Sequence, residues 1–101
     1  MNAVLDDVDL EALPVGTVLD VDTANTHYRI ENRGDGEVLI SGNPDVCPEP
    51  VRVDFHGSSA GRTTLKAGII GREMNMEFFH PQRGIVRTSR VREIRERASK
   101  S

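Results

Sequence analysis

A chain of 101 residues supplies one domain with a single core and needs no structural metal, and its regular apolar spacing excludes wholesale disorder. Aromatic residues make up 4% and tryptophan is absent, so the core must come from valine, leucine, isoleucine and methionine. The one cysteine, Cys47, has no internal disulfide partner. No stretch approaches a membrane span, and Asp6, Asp7 and Asp9 stand where a secretory leader would be basic and then apolar; the expectation is a cytoplasmic protein with no membrane association.

In chain order, residues 1–13 read as an acidic leader, loose or with a short helical turn. Residues 14–94 read as one domain, and 95–101 as a basic tail expected to be disordered. Leu13-Pro14-Val15-Gly16 leads into a first strand at about 16–23, with Thr17, Leu19, Val21 and Thr23 on one face and Asp20 and Asp22 on the other. Ala24-Asn25 turns into a second strand at about 26–32. Arg33-Gly34-Asp35-Gly36 then forms a hairpin turn into Glu37–Ser41. The prolines between Asn43 and Pro50 demand a loop, which places Cys47 in half-buried loop packing. A fourth strand spans Val51–His56, and Gly57-Ser58-Ser59-Ala60-Gly61 reads as a flexible connection. Strands follow at Thr64–Ile70 (with Gly68 at a bulge), at Met74–Phe79 and, after Pro81-Gln82-Arg83-Gly84, at about 85–91. Val91 and Ile94 are three apart, a spacing that suggests a closing helical turn. Six or seven short strands with short connections cannot bury a flat sheet, so the fold class is all-β, a small, partly open SH3-like β-barrel.

No residue cluster demands one chemistry. The loop from Gly57 to Thr63 is a residue short of a nucleoside-triphosphate loop, carries Arg62 in place of lysine and precedes a strand, so at most it forms an anion nest. Asp54, His56 and Ser58 share one face at roughly 6–7 Å spacing, too far for a hydrolytic triad. His27 and His56 fall on the outward phase of their strands. Cys47, His27, His56 and His80 lie on four segments without zinc-knuckle spacing, so no metal and no cofactor is expected. Residues 1–22 hold six acids and no base, whereas residues 83–101 hold seven bases against Glu93 and Glu96; the simplest reading is a solvated leader and a solvated tail. Phe79 falls on the outward phase of its strand. With Arg87, Arg90 and Arg92 it is the candidate partner-binding surface, although one aromatic among arginines is a weak nucleic-acid signature.

Two resemblances add expectations. Thr23-Ala24-Asn25-Thr26-His27-Tyr28 and Thr88-Ser89-Arg90-Val91 resemble the T-x-N-[ST]-x-Y turn and closing T-S-x-V strand of short, uncharacterised bacterial β-proteins over roughly residues 14–94. Structural roles follow: Asn25 in a left-handed turn, Tyr28 in the core, Thr88 and Ser89 bonding a neighbouring backbone. Arg29-Ile30-Glu31-Asn32-Arg33 also resembles the R-x-x-x-R half of the PilZ pattern for cyclic di-GMP. His56-Gly57-Ser58-Ser59-Ala60-Gly61 is similar to its D/N-x-S-x-x-G half, with histidine at the acid or amide position. That resemblance implies a ligand clamped by Arg29 and Arg33 and lined by Ser58 and Gly61, with Arg62 beside them. The sequence reading is a binding module without catalysis, for a protein partner first, cyclic di-GMP or another anionic ligand second, and nucleic acid third.

Overall fold

The structure is a computed structural model and describes residues 3–61 and 64–97, with the side chains of residues 3 and 4 left aside. It is all-β. Strands β1 (Ala3–Leu5) and β2 (Asp7–Asp9) precede a single 3-10 turn, Leu10–Ala12. They are followed by β3 (Val18–Thr23), β4 (His27–Gly34), β5 (Glu37–Ser41), β6 (Val51–Ser59), β7 (Lys66–Ala67), β8 (Ile69–Gly71), β9 (Asn75–His80) and β10 (Gly84–Glu96). Antiparallel pairings run from β10 through β3, β4, β5 and β6 to β9, which pairs with β10 again. The main sheet is thus partly closed on itself, while β1 and β7 flank this ring and β2 pairs with β8.

Period-two alternation builds the core. Leu19 and Val21, Tyr28 and Ile30, Val38 and Ile40, Val53 and Phe55, Met76 and Phe78 all point inward and are buried. The Asp35-Gly36 turn has φ of 55° and 79° at its two central residues. Its backbone twist therefore matches the β4–β5 hairpin.

Several expectations are corrected. The leader holds the expected short helical turn, at Leu10–Ala12, but is not loose: β1 pairs with the end of β10 and β2 with β8. Asn32 helps to hold the chain that follows β2. Its buried amide donates to the carbonyls of Leu10 (3.2 Å) and Leu13 (3.0 Å), and its own oxygen accepts from the Gly34 N–H. The expected flexible stretch Gly57–Ser59 is instead the end of β6, lying between β7 and β9. Gly57 permits this, because a Cβ there would stand 2.1 Å from the Lys66 carbonyl oxygen. The single strand expected at Thr64–Ile70 is broken by Gly68, whose φ of 72° makes a turn between β7 and β8.

β10 differs most. No helical turn follows Val91; the strand continues to Glu96, and of the expected tail Arg95 and Glu96 belong to it, while residues 98–101 lie outside the described residues. The three-residue spacing has another cause. Register shifts between Arg87 and Arg90 against β9, and between Val91 and Glu93 against β3, each insert one extra residue. Such bulges change the inward phase and bend the strand. Thr88, Val91 and Ile94 all face inward as a result.

Asn32→Ala would leave the Leu10 and Leu13 carbonyls without their donor. It is expected to lower unfolding stability by about 2 kcal/mol, seen as an earlier urea midpoint with an unchanged m-value. An unchanged midpoint would show that the sheet does not hold the leader.

Candidate functional site

The polar outer faces separate into a neutralised half and an unneutralised half. Across β10, β3 and β4 the oppositely charged ends of the chain pair directly. Arg97 donates through Nε and Nη2 to the two carboxylate oxygens of Asp20 at 3.3 and 3.2 Å, and Arg95 donates to Asp22 at 3.1 Å. Arg95 also pairs with Glu93 at 3.1 Å, and the His27 ring lies against both Asp20 and Asp22. The expectation of separately solvated ends is therefore overturned: register places Asp20 opposite Arg95 and Asp22 opposite Glu93, so the charges share one face at cross-strand distance. Burial pushes the Asp20 carboxyl up, but the hydrogen bonds and charge of Arg97, joined by His27, outweigh it and hold the group below its ordinary value.

Beside this face the Thr23–Tyr28 and Thr88–Val91 segments meet. The Thr23 hydroxyl donates to the Thr26 carbonyl (2.9 Å), accepts from the Thr26 N–H (3.0 Å) and accepts from the Ser89 hydroxyl (2.8 Å). That uses its whole hydrogen-bonding capacity. Ser89 in turn accepts from the Asn25 N–H, and Thr88 accepts from the Met76 N–H. Tyr28 is buried, and its hydroxyl accepts from Asn43 at 2.9 Å. Asn25 is not left-handed: among the described non-glycine residues only Asp35 and Glu73 have positive φ. Ser89 from across the sheet holds its N–H instead.

The residues of the PilZ-like halves stand apart. Arg29 is exposed on β4, opposite Asp20 and Ser41, and Arg33 bonds Glu31 at 2.7 Å. Ser58 lies beyond the β4–β5 turn, roughly 25 Å from the level of Arg29 along the strand path at about 3.3 Å per residue. Its side chain is fully buried, and its hydroxyl accepts from the Gly71 N–H at 3.3 Å. The bulge at His56 puts Ser58 on the inner face, so it does not share a face with Asp54 as the unbroken alternation suggested. Gly61 is exposed and gives its carbonyl to Arg87 at 2.6 Å, while Arg62 lies outside the described residues. Cys47 is fully buried rather than half-buried, and that burial pushes its thiol up, away from the reactive thiolate.

On the other half of β10 the outer face is apolar and basic. Phe79 on β9 and Ile85 on β10 are direct cross-strand neighbours, 42% and 65% exposed. Arg87, opposite Glu77, and Arg90, opposite Asn75, continue the same face, and Arg92 projects from the second bulge. Among the described residues Arg83, Arg90 and Arg92 make no ion pair, whereas Arg95 and Arg97 do. Sequence reasoning picked out Phe79 but missed Ile85. The available signal was the Pro81–Gly84 turn, whose length brings residue 85 opposite residue 79. No helix among the described residues is long and apolar enough to cross a membrane. Comparison with protein-family models, with curated proteins and with solved structures returns no match to this chain.

Asp20 sets a pH test. With its folded-state value depressed, its stabilisation is complete above the ordinary carboxylate value of about 4 and is lost as pH falls through the lower folded value. Asp20→Asn is expected to reduce stability at neutral pH and to flatten the acid limb below about pH 4. An acid limb as steep as the parent's, followed by denaturant midpoints at stepped pH, would contradict the role of the Asp20–Arg97 pair.

Proposed function

We propose that the chain is a non-catalytic, cytoplasmic binding module built on a small, partly open SH3-like β-barrel, and that its ligand is a protein. The observation that carries this reading is the exposed Phe79–Ile85 pair on a β-hairpin otherwise rich in charge. Two large apolar side chains placed side by side in water are a cost to an isolated fold and a natural anchor for a partner. The arginines around them supply a polar rim, which steers association more than it tightens it. The Thr23 hydroxyl is saturated by structural bonds, and the hydroxyls of Thr88 and Ser89 each commit their proton to one, which supports a binding role over a nucleophilic one.

Photo-crosslinking tests this reading. Benzoylphenylalanine at position 79, in cells expressing the full chain, is expected to give a discrete protein adduct that Ile85→Glu reduces at least fivefold. The same probe at position 52, which is exposed on β6, should give none. Equal adducts at both positions, or none at either, would contradict the reading. A companion amide NMR spectrum recorded with cyclic di-GMP is expected to be unchanged. Saturable shifts confined to Arg29–Arg33 and Gly57–Gly61 would replace the protein ligand with the nucleotide.

A further inference from the structure

The first half of β10 has an unfilled side. Over Gly84–Arg90 it pairs with β9, and β3 joins its other edge only from Val91 onward, after the Ala24 N–H bonds the Arg90 carbonyl. No other described strand pairs with Gly84–Ser89 on that edge, although the Ser89 carbonyl at its end is already bonded by the Thr88 hydroxyl. A strand edge left open offers a row of backbone donors and acceptors to an extended peptide.

The side chains beside that edge specify what such a peptide would carry. Ile85, Arg87 and Arg90 project from the outer face, while the half-buried Val86 packs against the core from the inner face. A strand laid along the edge would set its alternate side chains about 5 Å from these neighbours. Its outward residues would meet guanidinium groups, since among the described residues Arg90 has no ion pair and Arg87 is engaged only by the Gly61 carbonyl. Its inward residues would cover Val86.

We infer that the open edge of β10 over Gly84–Ser89 accepts an extended segment of a partner protein in which acidic residues alternate with apolar ones. This rests on the protein-binding reading above and specifies the partner's chemistry. Nucleic acid would answer to the same arginines but would need no backbone pairing and no apolar inward residue, so the edge favours the peptide.

The test uses amide hydrogen exchange on the full chain with two soluble eight-residue peptides, one alternating valine with glutamate and one alternating valine with lysine, and with an oligothymidylate. The glutamate peptide is expected to slow exchange of amides within Gly84–Ser89. Its affinity should fall at least tenfold in the Arg87→Glu/Arg90→Glu double variant. Both side chains are exposed, and an amide spectrum of the variant verifies its fold. Equal protection by the lysine peptide or by the oligonucleotide would overturn the inference, as would no protection by the glutamate peptide. If that failure occurs while the position-79 adduct still forms, strand addition alone is refuted; loss of both removes the protein-binding reading as well.

Discussion

β10 is one strand serving two sheets' worth of neighbours, and the rest of the molecule is arranged around the bend that lets it do so. A straight strand of its length would run past β3 or past β9. Two inserted residues, one between Arg87 and Arg90 and one between Val91 and Glu93, turn it from the first partner to the second. The first insertion leaves ladder groups without a strand partner, and side chains take them up. Asn75 donates to the Thr88 carbonyl, Thr88 to the Ser89 carbonyl, and Ser89 to Thr23. The bend is therefore stabilised by a polar cluster as well as by the buried Val91 and Ile94.

Charge follows from the same bend. Past it, β10 lies beside β3, and the acids of β3 stand within reach of Arg95 and Arg97. Before it, β10 lies beside β9, where Glu77 pairs with His56 and, among the described residues, Arg87 bonds only the Gly61 carbonyl and Arg90 has no ion pair. Pairing of the chain's ends thus has a structural result: it neutralises Arg95 and Arg97 and leaves the arginines without an ion pair among the described residues on the part of β10 and its turn near Phe79 and Ile85. The mild net charge of the whole chain conceals this local asymmetry.

Alternation made the strand content and much of the core legible from residues alone: Leu19 and Val21 share one face by their spacing, and that is the face they bury, and the same period of two buries Tyr28/Ile30 and Met76/Phe78. Beyond the Asp35-Gly36 hairpin, what escaped the sequence were features that depend on pairing between distant strands. Val91 and Ile94, three apart, fit a helical turn and a bulged strand equally well; only β3 alongside decides between them. Gly57-Ser58-Ser59 has a loop's composition, yet glycine is also what two closely approaching backbones require. Of the tentative sites, Phe79 was readable because its phase was unbroken. Ser58 was misplaced onto Asp54's face because a bulge at His56 carries no sequence mark. The link between the Thr23 and Ser89 motifs was invisible for the same reason, since their residues are distant in the chain and adjacent only in the sheet.

A protein ligand on the β9–β10 hairpin requires that β10 be fully paired after its bend and half-paired before it. Native-state amide exchange along this strand, measured without any ligand, reads that directly. Residues 94–96, with β1 on one edge and β3 on the other, should all be protected, while protection over 84–87 should alternate, every second amide exchanging freely. Uniform protection from 84 to 96 would mean that the open edge is already filled, and would contradict the account.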